Sequence, residues 1–232
     1  MLGLPICAVV FDCDGVLVDS EPMHAAATRE ELHHRGIEVP DKFFNDHIGM
    51  RVTDQMAVLA ERYDIDHQSL LDARERRFWA MAAEHFREVP GSAATVRALH
   101  AAGLKIAVAT SGTREWVNHV INELGLATEI SASISAADIQ EPKPHPQAYL
   151  AAAQALGVPA HRCGVVEDSE RGCRSAVAAG CVVIVLDRNR RAREQFAGAA
   201  AVATSWAQVR ETLFRAAALP SATPRGLDST SS

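Results

Sequence analysis

Short, uninterrupted apolar runs recur along the chain between turn residues, and they alternate with longer stretches of helical period. The runs predict strands over Ile6–Phe11, Leu104–Ala109, Ile130–Ile134, Gly164–Val166 and Val182–Leu186, with Ala201–Ala203 a weaker sixth. Helices are predicted over Arg114–Leu124, Pro146–Leu156 and Glu170–Ala179. Each is followed at once by a glycine (Gly125, Gly157, Gly180), where a left-handed C-cap suits it. Strand and helix in alternation argue for an α/β fold whose parallel strands are joined by crossover helices.

The rhythm breaks after the first strand. From about Glu21 to Glu88 no strand pattern occurs, and helical stretches follow one another: Met23–Arg35 after Pro22, Thr53–Arg62, and Leu70–Phe86, with Thr53 and Ser69 as expected N-caps. The expected organisation is a core of residues 1–18 and 89–218, an inserted helical domain of residues 19–88, and a disordered tail of residues 219–232. Pro90 and Gly91 mark the return to the core.

At 232 residues, 48% hydrophobic and 22% charged, the chain has ample material for a core. A net charge of -6 argues against nucleic acid, which asks for a clustered basic face. Uncharged runs such as Ser175–Leu186 are too short to span a bilayer, so no membrane partner is expected. The first residues lack a basic segment, and the five cysteines form no C-x-x-C pair, which predicts free thiols in the cytoplasm. A monomer or weak homodimer is expected.

The chemistry concentrates in Phe11-Asp12-Cys13-Asp14-Gly15, directly after the first strand. In an open parallel sheet, ligands bind beyond the carboxyl ends of strands, which is where Asp12 falls. A lone Asp-x-Asp more often shapes a turn, and a calcium loop is excluded because Gly15 is not at its sixth position. Three more segments end at the same edge: Thr110-Ser111-Gly112, Glu167-Asp168-Ser169, and Lys143 between Pro142 and Pro144. Singly these read as helix caps and a solvated lysine. Jointly they bring carboxylates, hydroxyls and a cation to one place, and Lys143 is one of only three lysines, with Lys42 and Lys105.

This ordered set resembles the four motifs of the haloacid dehalogenase-like superfamily over about Ile6 to Asp187, and the insert resembles the helical C1 cap of its subfamily IA, the group with β-phosphoglucomutase and many sugar-phosphate phosphatases. The resemblance implies a Rossmann-like core and a phosphatase that hydrolyses small phosphorylated metabolites, sugar phosphates foremost, with Mg²⁺ as cofactor. By the same resemblance Asp12 is the nucleophile that forms an aspartyl-phosphate, and Asp14 is the general acid and then base. Thr110, Ser111 and Gly112 hold phosphate oxygens, and Lys143 neutralises phosphate and Asp12. The metal falls to the Asp12 and Asp168 carboxylates and the Asp14 backbone carbonyl, with Glu167 assisting. His24 matches a cap-linker histidine, and Gly49 to Asp54 matches a loop that reads substrate, with Arg51 set against an anionic or hydroxylated leaving group. Cys13 is given a packing role, and Arg74-Glu75-Arg76-Arg77 reads as a solvated helix face.

The chemistry supports the cofactor independently of the name. Two like charges about 4 Å apart repel by roughly 4 kcal/mol at an effective dielectric near 20, so converging carboxylates and a phosphate need cations. Oxygen donors without clustered His or Cys favour Mg²⁺ over zinc. Rival readings are a phosphomutase, for which a later-cap lysine is missing, and a non-catalytic phosphometabolite-binding protein. A dehalogenase would lack the aspartate that Asp14 supplies, and a phosphonatase would need a cap lysine better placed than Lys42. The chain has no H-E-x-x-H, G-x-G-x-x-G or G-K-[ST] sequence.

Overall fold

The computed structural model describes residues 5–47 and 50–219. Gly49 of the expected substrate loop and the tail from Pro220 lie outside the described residues.

All six expected strands form: β1 (Ala8–Phe11), β2 (Lys105–Ala109), β3 (Ile130–Ile134), β4 (Cys163–Glu167), β5 (Val182–Leu186) and β6 (Ala201–Ala203). They make one parallel sheet in the order β3-β2-β1-β4-β5-β6. The chain steps outward from β1 through β2 to β3, then crosses to the other side of β1 to lay down β4. The strand order therefore reverses between β1 and β4, and beyond their carboxyl ends lies the crevice where such sheets bind ligands. Phe11 pairs with Val108 on one side and Val166 on the other, so Asp12 and Glu167 leave the sheet at the same level.

Alternation along β1 divides the core. Val9 and Phe11 face helices α5 (Ser92–Ala101), α6 (Arg114–Glu123) and α9 (Trp206–Ala216), which contribute Val96, Leu99, Val117, Val120, Val209 and Leu213. Ala8 and Val10 face α7 (Gln147–Leu156) and α8 (Glu170–Ala178), with Tyr149, Ala152, Cys173 and Ala176. Helices α5 and α9 go beyond the sequence expectation. Cys13 packs in the first of these clusters, and all five cysteines are free. Among the described residues, no helix is long and apolar enough to cross a membrane.

Between β1 and α5 run α1 (Glu21–His34), α2 (Asp41–Asp46), α3 (Val52–Tyr63) and α4 (His67–His85). They bury a cluster of their own with Leu32, Phe43, Met56, Leu59 and Leu70, while Met23, Ala27, Phe78 and Ala82 join the cluster on the sheet. The outgoing and returning chains are tied together, since Asp19 N donates to Arg87 O at 2.8 Å and Val89 N to Leu17 O at 3.0 Å. Two helix starts differ from expectation. Arg51, in extended conformation, precedes α3 with no side-chain cap, and Asp66 caps α4 by accepting from Ser69 N at 2.8 Å. The stronger N-cap lies three residues before Ser69, so the helix begins there and Ser69 falls inside its first turn.

Candidate active site

The crevice at the β1/β4 switch point collects the sequence motifs. Asp12 leaves β1 with its N–H on Val166 O at 2.9 Å, and Asp12, Glu167 and Asp168 each offer a carboxylate oxygen within 4.8 Å of the others. Thr110 follows β2, and Lys143 arrives on the loop before α7. The loop after Asp12 turns back through Gly15, whose φ is +75°, and a Cβ at Gly15 would run into the Asp168 carboxylate. Only glycine permits both the left-handed backbone and that approach.

Lys143 is buried, and its Nζ donates to Asp12 Oδ1 at 2.6 Å, Glu167 Oε1 at 2.7 Å, the Tyr149 hydroxyl at 2.8 Å and Ala109 O at 3.1 Å. Burial works against its charge, but Asp12 and Glu167 outweigh burial and hold its pKa above the ordinary lysine value. The Tyr149 hydroxyl donates its own hydrogen bond to Glu167 Oε1 at 2.5 Å. Glu167 Oε2 accepts from Asp168 N, Ser169 N and Ser169 Oγ at 3.1, 3.2 and 3.0 Å. Burial opposes the charge of Glu167, yet Lys143 and Tyr149 keep its pKa below the usual value. Glu167, expected to assist a metal, stands in one acidic cluster with Asp12 and Asp168, and its two oxygens also accept from five donors. It is pressed from behind by α8, where a Cβ on Gly172 would run into it.

Asp14 is held by a different set. Its Oδ1 accepts from Ser20 Oγ at 2.5 Å and Trp116 Nε1 at 2.8 Å, and its Oδ2 from Thr110 Oγ1 at 3.2 Å. His24 Nε2 lies 3.6 Å from Oδ1. Burial would raise the Asp14 pKa, but His24, Ser20 and Trp116 together hold it at about 2. A guanidinium only donates, and Arg74 donates to His24 Nδ1, so His24 carries its proton on Nε2 and turns it toward Asp14. The Thr110 hydroxyl is engaged by Asp14 and by Gly112 N, at 2.9 Å. Ser111 and Gly112 line the open pocket with Asp12, Asp14, His24, Lys143 and Asp168, whereas Arg51 borders an adjoining cavity.

The solvated-face reading of Arg74 to Arg77 is corrected at Arg74. It is 1% exposed, paired with Glu75 at 2.6 Å and stacked on Phe78 at 4.8 Å, because it lies one turn from Phe78 on the stripe of α4 that faces α1. Arg76 is exposed, and Arg77 is half-buried against Glu31. Ser20, Trp116 and Tyr149 were not anticipated. Each has an ordinary local reading, as an N-cap or a core position of a helix, and no sequence signal marks its polar atom as useful.

The donor chemistry suits a hard cation. Among the described residues no hydrogen bond reaches the Asp168 carboxylate or Asp12 Oδ2, and none reaches the Asp14 carbonyl. Burial, only partly opposed by Lys143, and the charges of Glu167 and Asp14 push the Asp12 pKa well above its ordinary value; burial, Glu167 and Asp12 do the same to Asp168. Asp12 and Glu167 share the one ammonium of Lys143, Asp168 clusters with them, and the unoccupied donor atoms are all oxygen. That set fits a hard cation such as Mg²⁺, and the carboxylates of Asp12, Glu167 and Asp168 lie close enough together to hold one.

Comparison with known proteins agrees with this geometry. Hexitol phosphatase A of Escherichia coli (strain K12) is 31% identical over 179 residues, covering 77% of this chain and 82% of its own. The crystal structure of a HAD family hydrolase from Deinococcus radiodurans R1, with bound phosphate and sodium, is 32% identical with a TM-score of 0.72, covering 94% of this chain and 99% of that one. A β-phosphoglucomutase from Clostridium difficile superposes with a TM-score of 0.80 at 22% identity, over 92% and 97% of the two chains, a likeness of fold. The haloacid dehalogenase-like hydrolase family profile matches residues 6–180, three quarters of the chain, and with these relatives it establishes that the protein is a hydrolase belonging to the haloacid dehalogenase-like family.

Proposed function

We propose that this enzyme is a Mg²⁺-dependent phosphatase that hydrolyses small phosphate monoesters, sugar phosphates foremost, through an aspartyl-phosphate on Asp12. The observation that carries the reading is Asp12 itself: one oxygen is clamped by Lys143 at 2.6 Å and the other has no donor among the described residues, at the head of the sheet's central crevice. A carboxylate held at one oxygen presents the other as a nucleophile in a fixed direction. The phosphate-bound structure of a 32% identical relative, and the phosphatase activity for which hexitol phosphatase A is named, support the same substrate chemistry.

In this reading the free oxygen of Asp12 attacks phosphorus as the ester P–O bond breaks, and Ser111 and Gly112 at the pocket wall receive the phosphate oxygens. Lys143 keeps its proton throughout and offsets charge on Asp12 and the transferring group. Bound between Asp12, Asp168 and the Asp14 carbonyl, Mg²⁺ would supply the positive charge that one lysine cannot. Asp14 is ionised in the free enzyme. An arriving phosphate dianion raises its proton affinity, so that Asp14 takes up a proton from solvent, gives it to the leaving alkoxide and, again a carboxylate, takes one from the attacking water. His24, held by Arg74, positions Asp14 for both steps. Residues 19–88 act as a cap over the crevice, contributing His24 to the pocket. Hydrolysis is favoured over phosphomutase action because Lys42, the one lysine between Glu21 and Glu88, is spent on an exposed pair with Asp46 at 2.6 Å.

The test is release of inorganic phosphate from a panel of sugar and polyol phosphates with Mg²⁺. Asp12→Asn should abolish it while leaving the melting profile of a folded protein; a rate within about tenfold of wild type, only about 1.4 kcal/mol of barrier, would remove Asp12 as nucleophile. Given β-glucose 1-phosphate with a trace of the 1,6-bisphosphate, the enzyme should yield phosphate, and a yield dominated by glucose 6-phosphate would replace hydrolysis with phosphomutase action.

A further inference from the structure

The two oxygens of Asp14 are unequally attended. Oδ1 accepts from Ser20 Oγ at 2.5 Å and from Trp116 Nε1 at 2.8 Å, with His24 Nε2 at 3.6 Å. Oδ2 has the Thr110 hydroxyl, at 3.2 Å, as its one donor among the described residues. It lies toward the wall of the catalytic pocket, where a Cβ on Gly112 would stand 3.8 Å from it.

The groups at Oδ1 differ in kind. A serine hydroxyl can turn and accept, and an imidazole can exchange its tautomer, but an indole N–H only donates. Protonated, Oδ1 would be a poorer acceptor for a buried N–H that has no other, and a buried donor left unsatisfied carries its full desolvation penalty. Oδ2 can take the proton with both bonds at Oδ1 intact.

The indole is also fixed in place. Trp116 is 3% exposed, and its ring lies 4.8 Å from Phe78 and 5.8 Å from Trp79 on α4, and 5.6 Å from His119 one turn along α6. Thr113, the N-cap of α6, accepts from Trp116 N at 3.1 Å.

We propose that Trp116 is a positioning residue whose N–H commits Oδ1 of Asp14 to accepting, so that Oδ2 carries the transferred proton. The proposal rests on the phosphatase reading and adds to it the atom through which Asp14 acts. As the free oxygen of Asp12 bonds to phosphorus and the ester P–O bond breaks, the proton on Oδ2 passes to the departing oxygen. When water then attacks phosphorus, the bond to Asp12 breaks and the proton lost by the water goes to Oδ2.

Two replacements test it. Trp116→Phe keeps an aromatic ring and drops the N–H, and benzothienylalanine at position 116 puts sulfur in place of the N–H at nearly the same shape. Alkyl phosphates need the leaving oxygen protonated, whereas nitrophenolate leaves without a proton. With Mg²⁺, both variants should lose about 10- to 100-fold more of kcat/KM with alkyl than with nitrophenyl phosphates, the scale of a misaimed catalytic group. In an Asp14→Asn background, Trp116→Phe should change that ratio by less than about twofold. Equal losses with the two leaving groups, or an undiminished effect in Asp14→Asn, would make Trp116 a packing residue and overturn the proposal. The NMR signal of the indole N–H gives a readout without turnover. Identified by its loss in Trp116→Phe, it should exchange slowly with solvent, and Asp14→Ala should shift it and speed exchange by about tenfold or more. A signal unmoved by Asp14→Ala would refute the contact whether or not any ester is turned over, while a wild type that hydrolyses no ester fails the phosphatase reading whatever the signal does.

Discussion

Glu167→Gln exchanges one oxygen of a fully buried carboxylate for an NH₂ group while keeping its volume, and the geometry makes the consequence calculable. One oxygen of Glu167 takes Lys143 Nζ at 2.7 Å and the Tyr149 hydroxyl at 2.5 Å, and the other takes three donors from Asp168 and Ser169. Whichever way the amide turns, its NH₂ faces donors. Removing one partner of a buried ion pair costs about 3–5 kcal/mol. Lys143 retains Asp12 at 2.6 Å, which places the expected loss at the lower end, about 3 kcal/mol. For a chain of 232 residues that corresponds to a fall in Tm of roughly 6–12 °C. Thermal melts in EDTA measure it, alongside Mg²⁺ titrations of phosphate release by Glu167→Gln and Asp168→Asn. Asp168→Asn should raise the Mg²⁺ requirement more than Glu167→Gln does. A Glu167→Gln protein that melts within about 2 °C of wild type, yet needs as much extra Mg²⁺ as Asp168→Asn, would refute the reasoning and make Glu167 a metal ligand instead of a brace.

Chelation should abolish turnover and Mg²⁺ should restore it, since one ammonium cannot neutralise the convergent carboxylates and a phosphate; full activity in metal-free protein would contradict this. Lys143→Ala should lose far more activity than Lys105→Ala, because Lys105 donates to Leu156 O at the other end of β2, away from the crevice, and equal losses would mean a structural effect alone. Asp14, with its pKa held at about 2 against an ordinary value near 3.9, stabilises the fold fully above about pH 4 and progressively less as pH falls toward 2. The stability gap between wild type and Asp14→Asn should therefore narrow across that window, and a gap unchanged at pH 2 would contradict the hydrogen-bonded setting of Asp14.

The strands and the residues that end them were legible because both depend on local pattern. Apolar runs such as Ala8–Phe11 have few places to go except a buried sheet, and the residues after β1, β2 and β4 then emerge at one edge. The ordered motifs from Asp12 to Asp168 placed the candidate chemistry there. Local pattern could not say which neighbours each group meets. Asp14 meets Trp116 and Lys143 meets Asp12 across 102 and 131 residues of chain, and it is the strand order, with β4 inserted beside β1, that brings these segments together. The same distance hid the particular roles. Glu167 carries the same charge as Asp168, but it alone points inward to Lys143 and Tyr149 and is saturated there. Arg74 belongs to a charged run whose side chains differ in burial only because α1 covers one stripe of α4. Hydrogen bonding and charge are fixed by surroundings, and surroundings exist only once the chain has folded.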